Sequence, residues 1–248
     1  MLLYLIGLPR GKFGDLEGAL RAANVPFSTQ DLRACGTPVK VGFQGELYPI
    51  QKEAADAILW HDNGILCAAT AFGKTAVGAY LVAHREVSTL ILVHNREILK
   101  NWIEDFHKFL RIDEEAPTYL TGSGRERKRK SPVGKLYAAH DSMTGIIDVA
   151  MVSSLKEDDP RLDSYGLVIM DECHHAAAAN TERIIQKIKA KYIYGLTATP
   201  KRDDGMEQKV YMQFGGILYR FTARQLHCTI PSCAKAYTCP RRRICMSI

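Results

Sequence analysis

Between residues 41 and 222 the chain alternates short, continuous runs of Val, Ile, Leu and Ala with longer segments of helical period. This alternation leaves few folds open. The runs are GILCAAT (64–70), STLILVH (88–94), GIIDVAMVSSL (145–155), GLVIMD (166–171) and YIYGLTAT (192–199). The intervening segments include GKTAVGAYLVAHR (73–85), REILKNWIEDFHKFL (96–110) and TERIIQKIKAK (181–191). A strand that is apolar at every residue must be covered on both faces, which is the environment of a parallel sheet flanked by helices. Crossovers between such strands are right-handed, and ligands bind beyond the strands' carboxyl ends. Three polar signatures sit at ends of this kind: Gly73-Lys74-Thr75, Asp171-Glu172 and Thr197-Ala198-Thr199. The expected fold is α/β, with one crevice facing all three.

The first signature suits a triphosphate. Backbone N–H groups at a helix N-terminus, with its partial positive charge, cradle phosphate oxygens. With a strand directly before it and a helix directly after, Lys74 is placed to reach the β- and γ-phosphates, and Thr75 to bind Mg²⁺ through its hydroxyl. The general loop pattern G-x-x-x-x-G-K-[ST] has glycine where Ala68 stands, a departure that needs an account. Asp171 ends a hydrophobic strand, as the acid that orients Mg²⁺ does, and Glu172 follows as the group that positions attacking water. Cys173, His174 and His175 also invite a zinc reading. Three consecutive residues converge poorly on one tetrahedral ion, and no fourth ligand lies nearby.

Taken together, AATAFGKT, DECH and LTATP resemble motifs I, II and III of superfamily 2 helicases and translocases, in the DExH branch. Motif I of that superfamily is A-x-T-G-x-G-K-T, so Ala68 is ordinary there and the departure moves to Ala71. An alanine at 71 would be strained if the loop needed a left-handed residue at that point. LYPIQKEAADAI (47–58) is similar to the segment before motif I in the group containing XPB and type III restriction subunits.

The resemblance implies a P-loop, RecA-like ATP-binding lobe over residues 41–222, with ATP and Mg²⁺ as cofactors. Thr70, Ala71, Phe72, Gly73, Lys74 and Thr75 would surround the phosphates, and Gln51 would read the adenine edge. Lys74, Asp171 and Glu172 would be catalytic, with Thr75 and Asp171 holding the metal. His94, Asn95, Arg96, Ser153 and Ser154 would touch a nucleic-acid backbone, DNA in preference to RNA. His174, Thr197 and Thr199 would couple the nucleotide to the strand. The implied activity is that of an ATP-dependent helicase or translocase. The motifs of a second lobe do not follow, so a lobe on another chain becomes a possible partner. An ATP-dependent binding module and an inactive remnant stand as alternatives.

The rest of the chain is less informative. Residues 1–40 read as a small appendage of strand, helix (GDLEGALRAANV) and polar connection. The segment TGSGRERKRKSP (121–132) reads as a flexible basic loop, and equally as a grip for phosphates. Of the net charge of +6, five charges come from Arg224, Lys235, Arg241, Arg242 and Arg243, so the body is nearly neutral. Cys228, Cys233, Cys239 and Cys245 share this tail, at spacings without the C-x2-C of zinc ribbons. Residues 223–248 therefore read as a disordered or out-of-frame end. Cys35, Cys67 and Cys173 are scattered, as free thiols in a reducing compartment are. No apolar run reaches the ~20 residues of a membrane span, and the charges of MLLYLIGLPRGK follow its apolar run, so a cytoplasmic location is expected.

Overall fold

A computed structural model describes residues 8–122, 124–198 and 207–222. The first half carries helix α1 (Phe13–Ala22), strand β1 (Val41–Phe43), α2 (Pro49–Leu59), β2 (Asn63–Ala68), α3 (Lys74–Arg85), β3 (Thr89–Val93) and α4 (Arg96–Phe109). Five strands follow: β4 (Leu110–Ile112), β5 (Thr118–Leu120), β6 (Glu126–Lys128), β7 (Val133–Tyr137) and β8 (His140–Asp141). The second half adds β9 (Ile147–Met151), β10 (Leu167–Asp171), α5 (Ala179–Lys187), β11 (Tyr192–Thr197), α6 (Glu207–Phe214) and β12 (Ile217–Phe221).

Eight strands form one sheet in the order β12-β2-β11-β10-β3-β9-β7-β8. Every pairing in it is parallel except that of the short edge strand β8 with β7. The expected α/β architecture is what forms. Strands β3 and β10 are buried at every residue, and β2, β9 and β11 at all but one, which is why their sequences are continuous rather than alternating. On one face lie α2, α3 and α4, where Ile58, Leu81, Trp102 and Phe106 are fully covered. On the other lie Tyr165, Ile184 and Phe214. The fit of α4 follows from its pattern: Leu99, Trp102 and Phe106 share one face, and the Asn95 side chain caps the helix by accepting from Ile98 N at 2.8 Å.

The strand order decides where chemistry can occur. The chain leaves β2, crosses two strand positions to β3, and later fills the gap with β10 and β11. The carboxyl ends of β2, β11 and β10 thus become neighbours. Residues 31–40 dock at the opposite, amino-terminal edge. Ala34 bridges Ala190, Pro38 bridges Val87, and Arg33 pairs with Asp62 at 2.9 Å. Gly36 lies so close to Gly166 that a side chain there would sit 2.4 Å from its nitrogen.

Two segments depart from expectation. The basic stretch at 121–132 is not a featureless loop, because β5 and β6 pair antiparallel as an exposed hairpin. Lys128 pairs there with Glu115 at 2.8 Å, and Arg129 lies over the Tyr119 ring. Strands β7 and β8 extend the sheet where no strand was expected. The expected strand at the chain start falls outside the described residues, apart from Leu8 onward, as do Thr199 and the Cys/Arg-rich tail. Among the described residues no helix is long and apolar enough to cross a membrane.

Candidate nucleotide site

After β2 the backbone makes one short 3-10 turn, Thr70–Phe72, and then reverses through Gly73 at φ 82° and ψ 43° before α3 begins. Gly73 is the position that must be glycine. Its φ is left-handed, and a Cβ would lie 2.6 Å from Gln51 Nε2. Ala71 has no positive φ, so the strain that an alanine could have introduced there does not arise. Thr70 and Ala71 are exposed and Phe72 is buried against Phe221, so the loop is anchored by its aromatic and open at its crown.

Gln51 latches this loop to α2. Its Nε2 donates to Phe72 O at 2.7 Å, while its Oε1 accepts from Tyr48 N at 2.9 Å. One amide hydrogen and one carbonyl lone pair are left for a base edge. The latch is a structural duty that the sequence around Gln51 does not reveal.

Lys74 is buried at the start of α3, with its ammonium donating to Ala68 O at 3.2 Å and facing Glu172 Oε1 at 3.9 Å. Asp171 is nearly covered. One of its oxygens accepts from Trp102 Nε1 at 2.8 Å and the other from Glu172 N at 2.9 Å. Burial holds the Asp171 carboxyl above its usual range; the Trp102 hydrogen bond pulls the other way, and the Glu172 charge adds to the rise. Glu172 itself takes a left-handed conformation, φ 49° and ψ 53°, rare for a residue with a side chain. That turn aims its carboxylate back at β11. Glu172 Oε2 meets Thr197 Oγ1 at 3.4 Å and His174 Nδ1 at 3.3 Å, and His174 Nδ1 meets Thr197 Oγ1 at 3.1 Å. The three ends of β2, β10 and β11 are thereby joined through side chains.

His94 behaves differently from expectation. Instead of facing out to a strand, it is half-buried, its ring 4.1 Å from that of His175, which lies 4.1 Å from that of His174. Burial, helped by His175 and His174, pushes the His94 imidazole down to about 4. A base whose folded value lies below its unfolded one binds fewer protons folded than unfolded, so stability is lost as pH falls from about 6.5 towards 4. His94→Phe keeps the ring contact without titrating. Its melting temperature is expected to fall less between pH 7 and pH 5 than that of the unsubstituted chain; equal falls would show that His94 carries none of the acid sensitivity.

The remaining expected strand contacts divide. Arg96 and Ser153 are exposed beyond β3 and β9, and Asn95 is exposed with its carbonyl oxygen used as the α4 cap. Ser154 Oγ instead accepts from Ala138 N at 2.8 Å, fixing the turn after β7. There the Arg96 guanidinium lies 4.7 Å from the centre of the Tyr137 ring. A groove of about 200 Å³ opens beside it, lined by Arg96, Lys100, Glu104, Lys135 and Tyr137. Tyr137 and Lys135 were missed because their strand was missed. Trp102 drew no functional reading from the sequence, although a buried indole N–H usually finds an acceptor.

The donor set fits a divalent cation beside a triphosphate. An oxygen-only pair, Thr75 at the helix N-terminus and Asp171 at a strand end, suits Mg²⁺, which keeps waters and phosphate oxygens as its other ligands. Cys173 is fully buried under Gly195, where a Cβ would meet its sulfur at 2.7 Å, so it belongs to the core.

Residues 44–202 match the family of the type III restriction enzyme res subunit. The chain is 30% identical over 181 residues to the DNA 3'-5' translocase XPB2 of Sulfurisphaera tokodaii, covering 73% of this chain and 37% of that protein. It is 29% identical over 169 residues to the DNA 3'-5' helicase XPB of Kineococcus radiotolerans, covering 68% and 29%. Among solved structures, the UvsW helicase of bacteriophage T4 superposes with a TM-score of 0.60 at 17% identity, covering 85% of this chain and 78% of that one. The chain thus spans about a third of the length of the two curated relatives.

Proposed function

The chain belongs to the family of type III restriction enzyme res subunits, in the XPB-like group of superfamily 2, and on that premise we propose that it is the ATP-binding lobe of a nucleic-acid translocase. The observation that carries the reading is the meeting of three strand ends, with Lys74 Nζ 3.9 Å from Glu172 and Glu172 3.4 Å from Thr197. In this reading the backbone N–H groups of residues 70–75 cradle the β-phosphate at the α3 N-terminus. Lys74 exchanges its bond to Ala68 O for β- and γ-phosphate oxygens. Thr75 and Asp171 would hold Mg²⁺, which would supply positive charge to neutralise those oxygens. Glu172, turned inward by its left-handed backbone, orients the attacking water against the γ-phosphate.

His174 and Thr197 share hydrogen bonds with Glu172, so a change at the γ-phosphate reaches β11 directly. The strand lies along Asn95, Arg96 and Ser153, where the groove beside Tyr137 supplies positive charge and a ring. DNA is the favoured strand, and a second lobe, supplied in cis or by another chain, would close the opposite wall of the nucleotide site. Alone, the lobe would bind Mg·ATP and a single strand but hydrolyse slowly.

A labelled single-stranded oligonucleotide tests the strand half of the reading by anisotropy. Affinity is expected to fall with salt, and Arg96→Glu is expected to weaken it and to lower the salt slope by about 1. Binding that ignores both salt and Arg96 would place the strand elsewhere.

A further inference from the structure

One polar contact at the metal-holding carboxylate has no part in the chemistry set out above. The Trp102 indole donates to Asp171 Oδ2 at 2.8 Å while almost wholly excluded from water. The second carboxylate oxygen is engaged by Glu172 N at 2.9 Å, so rotation of the carboxylate would break both bonds at once. The indole in turn has no freedom. Gly78 of α3 faces it so closely that a Cβ would lie 2.5 Å from Cη2 and 3.0 Å from Cζ3, and Phe106 packs against it with ring centres 5.4 Å apart. A glycine in the middle of a helix is unfavourable relative to alanine; here it makes room for the ring. An apolar ring in this space would bring no donor to Asp171, whereas the indole does.

We propose that Trp102 is a positioning residue, whose N–H fixes the carboxylate of Asp171 in the orientation that receives the Mg²⁺ of a bound nucleotide. The inference rests on the reading of Asp171 as a metal-holding residue. A carboxylate that must find its orientation on binding loses affinity for the metal, whereas one held in place by a charge-assisted hydrogen bond does not. The nucleotide's own contacts with the loop are untouched by Trp102. Its effect should therefore appear in metal-dependent binding alone.

The test compares affinity for a fluorescent, non-hydrolysable ATP analogue in Mg²⁺ and in EDTA. Two variants are used: Trp102→Phe, and Trp102 replaced by its benzothienyl analogue, in which sulfur takes the place of N–H at nearly constant shape. The analogue is placed in a Trp60→Phe background; Trp60 is exposed on the far end of α2, and the chain has two tryptophans. The ratio of the two affinities is expected to fall about tenfold in both variants, the scale of one hydrogen bond to a charged group, with the EDTA value unchanged. In the Trp60→Phe chain, Mg²⁺ added to the bound analogue should also shift Trp102 emission, a signal that needs no turnover. Equal losses in Mg²⁺ and EDTA, or an unchanged ratio in the benzothienyl chain, would overturn the proposal and leave Trp102 as packing. If the unsubstituted chain binds the analogue equally with and without Mg²⁺, the reading of Asp171 fails first, and the inference with it.

Discussion

Lys74→Ala is expected to weaken Mg·ATP binding by about two orders of magnitude or more. The ammonium sits at the first turn of α3, 3.2 Å from Ala68 O and 3.9 Å from Glu172, as if held at the mouth of the cradle by groups that a phosphate can replace. Two charge-assisted hydrogen bonds to phosphate oxygens are worth about 1.5–3 kcal/mol each, so their loss weakens binding by about 100-fold or more. No other described lysine or arginine is paired with Glu172, so nothing stands in for it. The variant's melting temperature distinguishes the outcomes. Lost binding with little change in melting marks a site effect, whereas retained binding would mean that the triphosphate does not lie on residues 70–75.

The second large effect is on stability. Gly78→Val places a Cβ and two methyl groups where the Trp102 ring already sits, 2.5 Å from Cη2. The ring is 1% exposed and packed from every side, so it cannot swing away as a flexible chain end would. Replacing glycine in a helix recovers a few tenths of a kcal/mol of propensity. Overpacking costs about 1–3 kcal/mol and wins. For a domain of this size each kcal/mol lowers the melting temperature by about 2–4 °C, so a fall of about 1–10 °C is expected. A melting temperature equal to that of the unsubstituted chain would show that α3 and α4 are not seated as described.

The sheet was legible because β3, β10 and β11, buried on both faces, carry polar side chains only at their ends. β3, β10 and β11 were visible for that reason, within two residues at each boundary. β7 was not, because Val133–Tyr137 alternates between buried and half-buried and includes Gly134 and Lys135, which gives no continuous run. β5 and β6 are exposed at all six residues, so no apolar pattern exists to reveal them.

The site shows the same division. Residue types at strand ends pointed to Lys74, Asp171 and Glu172, because their chemistry depends on position along one strand. The long-range contacts did not show. That Gln51 latches Phe72, that Trp102 reaches Asp171 across 69 positions, and that His94 turns inward to His175 are consequences of strand order and helix docking. Ala71 illustrates the reverse. A motif departure that looked costly is harmless, because the left-handed turn falls two residues later at Gly73.

A bound nucleotide is expected to lie between the loop of residues 70–75 and the start of α2. Photolabelling with an azido-adenine ATP analogue in Mg²⁺, followed by peptide mapping, tests it directly. Label is expected on the segment carrying Tyr48 and Gln51, lost with excess ATP and in Lys74→Ala. Label on any other segment, or label indifferent to ATP and to Lys74, would contradict it.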